Sequence, residues 1–220
     1  MVLRTRSILL LLVWLLPAIV VGPSAFAEST EQKIPITLSQ EIYQNEEMPF
    51  NTYEGAGAFD TYLVMNVRFE PIAEILAQIR QALYPNLINR GEAHITVITP
   101  PEYVQALKNK LSMREINQIA RELEIQKSRF DVLGVGSGKI FLDGRTQETF
   151  FLIVQSEDLL QLRRLIYKRF VDKGGDPKSF DPEHFFPHIT VGFTKRDLHE
   201  NDGVIKDVQH SLDPRFLLVN

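Results

Sequence analysis

His94-Ile95-Thr96-Val97 and His188-Ile189-Thr190-Val191 are the same four residues, met twice in 220 and 94 positions apart. Each copy lies in an apolar run of strand character. Side chains alternate along a strand, so His94 and Thr96 share one face while Ile95 and Val97 share the other. The same alternation separates His188 and Thr190 from Ile189 and Val191. Each strand therefore offers an imidazole and a hydroxyl on one face, about 7 Å apart. Five His and eleven Thr in this length give roughly 0.25 His-x-Thr triplets by chance. One copy would carry no weight, because Thr is favoured in strands anyway. Two copies with identical flanks do.

Working outward, the surroundings of the two tetrads repeat as well. Residues 62–69 read as a strand, and Pro71 opens a helix at a favoured first-turn position. The apolar face of that helix is Ile72, Ile75, Leu76, Ile79 and Leu83. The first motif strand, 93–99, follows and is stopped by Pro100-Pro101, and two helical stretches come next, near 102–111 and 113–124. In the second half, 149–154 reads as a strand, and Leu159, Leu162, Leu165, Ile166 and Phe170 mark a helix face. Gly174-Gly175 end that helix, residues 187–193 form the second motif strand, and 216–219 offer a closing strand. Strand, helix, His-x-Thr strand thus occurs twice, at a period too long for a solenoid repeat. The expected fold is α+β and bilobal: two pseudo-symmetric strand-helix-strand lobes, with small antiparallel-type sheets around a central cleft.

The first 27 residues read as a signal peptide. Arg4 and Arg6 supply a basic start, 8–21 an apolar stretch, and Ala25-Phe26-Ala27 a small-x-small cleavage site. The apolar stretch is short for a membrane span, so cleavage and a periplasmic or secreted product are expected, with no stable membrane association afterwards. Residues 28–58, with Glu28, Glu31, Glu41, Glu46 and Glu47, read as an extended acidic lead-in that contributes at most an edge strand. Residues 59–220 form the folded domain. Cys is absent, which removes disulfides, thiolate nucleophiles and Cys-ligated zinc. The formal charge is −4, and −6 once Arg4 and Arg6 leave with the leader. Proteins that grip long nucleic acid by its backbone are normally basic. A small phosphodiester, a nucleotide or a short RNA end is the better partner, long nucleic acid is not expected, and a monomer is.

Twin His-x-Thr strands in a chain with this duplicated order resemble the 2H phosphoesterase superfamily. That group includes 2′-5′ RNA ligase-like proteins, cyclic phosphodiesterases and RNA-processing exonucleases. The resemblance spans residues 60–220 in order of elements. It rests on 93–97 (Ala-His-Ile-Thr-Val) and on 186–193 (Phe-Pro-His-Ile-Thr-Val-Gly-Phe). In the superfamily an apolar residue follows each histidine and Thr or Ser comes third; both copies comply. The export signal departs from the many intracellular members. The resemblance implies catalysis by His94 and His188, with Thr96 and Thr190 on the substrate phosphate.

Elementary chemistry agrees with that implication. Hydrolysis of a 2′,3′-cyclic phosphate needs a base to activate water and an acid to protonate the leaving oxygen. Imidazole serves either role, since its unperturbed pKa is about 6.5. Charge developing on the phosphorus oxygens needs fixed donors, which two Thr hydroxyls supply. No cofactor and no metal are expected. His184 lies four residues before His188, but Pro187 and the strand character deny it helical metal spacing, and no His-Glu-x-x-His pattern exists. The run Gly134-Val135-Gly136-Ser137-Gly138 lacks the Gly-Lys-Ser/Thr ending of a phosphate loop and reads as a turn or irregular strand. Further candidate substrate contacts are Tyr62, Arg68, Tyr103, Lys139 and Phe186, with Phe185 and Asn66 beside them. His199 and His210 read as surface residues. The expected function is an exported, metal-independent phosphoesterase. The alternatives are a non-catalytic nucleotide-binding module on the same fold and 2′-5′ RNA ligase-like activity.

Overall fold

The computed structural model describes residues 32–57 and 59–219. The leader and the first residues of the lead-in lie outside the described residues. In chain order, β1 (Ile34–Thr37), β2 (Tyr53–Glu54) and β3 (Thr61–Val67) precede α1 (Phe69–Ala82) and β4 (Ala93–Ile98). Two helices follow, α2 (Pro100–Gln105) and α3 (Met113–Glu122), then the hairpin of β5 (Asp131–Leu142) and β6 (Arg145–Gln155). The chain closes with α4 (Glu157–Asp172), β7 (His188–Phe193), the short α5 (Val208–Ser211) and β8 (Phe216–Val219). The fold is α+β. Two three-stranded antiparallel sheets have the orders β2-β3-β4 and β5-β6-β7, and β1 pairs with β8 in parallel.

The duplicated order is built in the same way twice. β3 and β4 pair antiparallel with α1 between them in sequence, and β6 and β7 pair antiparallel with α4 between them. Each motif strand is the outer strand of its sheet, and the two outer strands touch. Ile95, Val97, Ile189 and Val191 are fully buried, while His94, Thr96, His188 and Thr190 are half-buried on the opposite faces. Burying each such aliphatic side chain contributes about 1.5–3 kcal/mol. A slip by one residue would swap these faces, so the aliphatic pairs fix the register that presents the motif.

Helix faces follow the expected periodicity except at Leu165, which is exposed. Ile72, Ile75, Leu76 and Ile79 of α1 are buried, as are Leu159, Leu162, Ile166 and Phe170 of α4. Pro100 and Pro101 do stop β4, and they also open α2, where Thr99 and Glu102 form a reciprocal capping box. The segment read as an acidic lead-in carries β1, and Ile36, Leu38 and Ile42 sit in the main core. Its partner β8 lies at the far end of the chain, a pairing that local periodicity does not reveal.

The glycine-rich run is strand in β5, with an irregularity in its pairing between Val132 and Gly134. Gly134, Gly136 and Gly138 alternate onto one face. A Cβ at Gly136 would stand 2.4 Å from Phe151 Cε2, and one at Gly138 would stand 2.3 Å from Val204. The glycines leave room for the segment after β7 to cross this face, and Asp213 N–H donates to Val135 O at 3.0 Å. Asp143 and Gly144, both at positive φ (53° and 72°), close the hairpin in the manner of a two-residue Asp-Gly turn.

Candidate active site

The segment leading into β4 is tied to β7 beside the motifs. Ile88 and Phe193 exchange two hydrogen bonds (2.9 and 3.0 Å), and Asn89 Nδ2 donates to Val191 O at 2.7 Å. Gly192 permits this approach, because a Cβ there would meet Leu76 Cδ1 at 2.7 Å and Ile88 O at 3.2 Å. A cavity of about 30 Å³ lies at the junction, lined by Asn89, Arg90, Glu92, Ala93, His94, Thr190 and Phe193. It brings one residue from each motif, His94 and Thr190, around one space. The space is partly open to solvent.

His94 stands across from Asn66 on β3, with its ring centroid 6.4 Å from that of Tyr62. Burial lowers its pKa below the ordinary value, opposed by the nearby Glu92 carboxylate. His188 stands across from Ile153 on β6, edge-on to Phe151. Its Nδ1 lies 2.8 Å from Phe186 O. A carbonyl only accepts, so Nδ1 carries the proton and Nε2 presents a lone pair. Lys206 Nζ donates to that lone pair at 3.1 Å. Burial, together with this ammonium, pushes the His188 pKa down to about 3.

Lys206 belongs to a buried network that spacing in the sequence did not suggest. Its ammonium donates to both oxygens of Asp197, at 2.9 and 3.1 Å, and lies 5.1 Å from the Phe151 ring centroid. Asp197 also accepts the hydroxyls of Thr149 (2.7 Å) and Thr190 (2.9 Å). Lys206 and Asp197 are 4% and 6% exposed, so neither ion is solvated and each depends on the other. Burial raises the Asp197 pKa, but Lys206 and its other neighbours outweigh that and hold the carboxyl below the usual range. Burial lowers the Lys206 pKa against the pull of Asp197. The only sequence signal was an Asp and a Lys within the polar stretch after the second motif, whose histidines, His199 and His210, read as surface residues.

The other candidates divide. Tyr62 lies beside His94 and stacks on Tyr53 with ring centroids 4.4 Å apart; burial raises its pKa to about 12. Phe186 contributes its carbonyl to His188, while its ring meets His184 edge-on. Arg68 is the N-terminal cap residue of α1 and donates through Nε to Gln44 O at 2.8 Å. Asn66 is buried and donates to Pro49 O. Tyr103 accepts from Met113 N–H at 3.1 Å, at the start of α3. Lys139 is exposed and pairs with buried Glu148 at 3.2 Å, lining a different cavity. Arg68, Tyr103 and Lys139 are therefore not gathered with the motif residues. His184 pairs with Glu200 at 2.8 Å, and His199 and His210 are exposed.

A buried arginine sets the approach to His188. Arg163 of α4 is 1% exposed and lies between the rings of Phe180 and Phe185. Its guanidinium donates to Val97 O of β4, to Glu102 Oε1, and to the carbonyls of Asp181, Pro182 and His184. One side chain thus ties the loop entering β7 to the end of β4. Phe185 serves in this clamp, with its ring on the arginine.

Paired His-x-Thr strands, touching along their outer edges in an α+β fold, define a class of phosphoesterase domain. Residues 61–199 match the model of the Swiss Army Knife 2H phosphoesterase domain, and the chain belongs to that family. Comparison with curated proteins and with solved structures gives no match.

Proposed function

We propose that the chain is a metal-independent phosphodiesterase that hydrolyses a 2′,3′-cyclic phosphate or a related small phosphodiester. The observation that carries this reading is the meeting of His94 and Thr190, one residue from each motif, around a single cavity between β4 and β7. Membership of a phosphoesterase family supports it. His188 presents a neutral Nε2 and has a cation beside it, whereas the charge nearest His94 is the Glu92 carboxylate. In a singly protonated pair the proton therefore rests on His94. His188 acts as the base and His94 as the acid. The base takes a proton from water as its oxygen bonds to phosphorus. The bond to one ribose oxygen breaks, and the acid protonates that oxygen, leaving a phosphomonoester and a free hydroxyl. Thr96 faces the phosphate oxygens, and Thr190 joins it once its hydroxyl turns from Asp197 Oδ2, with Tyr62 at the His94 side as a surface for a base or sugar.

The test is turnover of 2′,3′-cyclic nucleotides by the purified chain in excess EDTA. Activity that appears only on adding zinc or manganese would replace this reading with a metal-bound hydroxide. Export is part of the proposal and rests on Arg4, Arg6, the apolar stretch 8–21 and Ala25-Phe26-Ala27. Intact mass of the protein from its native host should show a chain beginning at Glu28. A species retaining residues 1–27 would show a retained leader.

A further inference from the structure

Both polar groups of the β7 motif are engaged inside the protein. The three ammonium protons of Lys206 face Asp197 Oδ1, Asp197 Oδ2 and His188 Nε2. The Thr190 hydroxyl proton points to Asp197 Oδ2. The imidazole lone pair needed by a base is covered by the Lys206 ammonium. Lys206 lies beyond the residues that the family model spans, 61–199. It is brought in by the segment that crosses the glycine face of β5, where Val204 packs against Gly138. A buried ion pair adds little to stability compared with apolar residues of the same shape, so stability alone does not account for a lysine here. The third bond, to the imidazole of the second motif, is the informative one.

We infer that Lys206 is an anion-operated latch: its ammonium covers His188 Nε2 in the free protein, and a phosphate oxygen of the incoming ligand competes for that N–H and uncovers the lone pair. The inference rests on the reading of His188 as the base. Lysine carries three rotatable donors on a flexible four-carbon stem, so the ammonium can turn toward a ligand while keeping its bonds to Asp197. The ligand class follows from the competition. A charged phosphate oxygen out-competes a neutral imidazole nitrogen for an ammonium proton, and an uncharged analogue of the same shape does not. His188 is then a weak base at rest and a competent one only beside its substrate, which guards the cleft against idle protonation. The other ionisable groups facing this pair are Asp197 and His199 near His188, and Arg90 and Asp202 near Lys206.

The test uses the full chain labelled with ¹⁵N-histidine and inorganic phosphate as the probe. In wild type without phosphate, the His188 ring should be neutral at pH 6, protonated on Nδ1. Phosphate should move its neutral-form Nε2 resonance saturably. In Lys206→Met that resonance should already sit at the phosphate-saturated position. Its titration midpoint should rise by about one pH unit or more, the effect of removing a unit charge 3.1 Å away even at the dielectric of water. Phosphate affinity should fall about ten- to a hundredfold, the range for losing one charged hydrogen bond. Lys206→Arg should recover part of that affinity. An Nε2 resonance indifferent to phosphate in wild type would overturn the latch, and that measurement needs no substitution. Unchanged phosphate affinity in Lys206→Met, or in K206M/D197N where the single variant fails to fold, would overturn it equally. None of these readouts uses turnover. A responsive Nε2 in a protein without diesterase activity would count against the proposed reaction, and active enzyme with an indifferent Nε2 against the latch.

Discussion

Arg163→Met should unfold this protein far more readily than its position on a helix suggests. The guanidinium has five N–H donors and meets five acceptors at 2.6–3.0 Å: four backbone carbonyls and one Glu102 oxygen. Methionine fills the slot between Phe180 and Phe185 but leaves those acceptors without donors. Removing one partner from a buried ion pair costs about 3–5 kcal/mol. Against a total stability of about 5–15 kcal/mol, that is a large share. With a urea m-value of about 2–3 kcal/mol/M, the denaturation midpoint should fall by about 1–2 M. Glu102 also accepts from Thr99 N–H (2.8 Å) and Thr99 Oγ1 (2.9 Å), so E102Q in the Arg163→Met background should recover only part of the loss. Arg163→Lys should not rescue, because three donors on one nitrogen cannot span carbonyls reaching from β4 to the β7 loop. Urea titration by circular dichroism measures all three variants. A stability for Arg163→Met within about 0.5 kcal/mol of wild type, or full rescue by lysine, would refute the clamp.

Other consequences can be measured on the same protein. The His188 pKa is lowered to about 3 and the His94 pKa is lowered too, so the unfolded chain binds more protons than the folded one below pH 6.5. Stability should therefore be fully present above pH 6.5 and decline as pH falls, by at most about 1.4 kcal/mol per pH unit for each imidazole. Urea midpoints between pH 6.5 and 5 should show this slope, and His188→Asn should flatten it; an unchanged slope would mean that His188 protonates freely when folded. Gly192→Val should cost about 1–3 kcal/mol by overpacking against Leu76 and Ile88 O, and should expose the Ile88 amide to hydrogen exchange. Wild-type protection of that amide in the variant would count against the close approach of β7.

Alternation made much of the site legible in advance. The apolar residues of both tetrads had to face inward, and the histidines and threonines had to share the other face; the burial of Ile95, Val97, Ile189 and Val191 is the same fact in three dimensions. β8 was readable as a short apolar run and β1 as an edge strand of the lead-in, but their pairing was not, since parallel pairing across most of the chain leaves no local trace. The glycines of β5 read as a turn or an irregular strand, and the strand is what forms; sequence records their missing side chains and not the segment that fills the space. Arg163 lies on a helix whose apolar face was plain, yet nothing in its spacing announces a carbonyl-rich loop folding back over it. Lys206 and Asp197 were hidden for a related reason. Charged residues in a polar stretch imply solvent, and only the packing of that stretch onto a glycine face takes them into the interior.

The most direct test of the proposed chemistry is steady-state hydrolysis of a panel of 2′,3′-cyclic nucleotides, in excess EDTA, by wild type, His94→Ala, His188→Ala and the double variant. The expected result is a phosphomonoester product from wild type without added metal. Each single variant should lose about 10²–10⁴-fold in turnover, with the double variant little worse than either, because the two groups act as a unit. Near-wild-type turnover in both histidine variants, or turnover that EDTA abolishes and a divalent metal restores, would contradict catalysis by this pair of imidazoles.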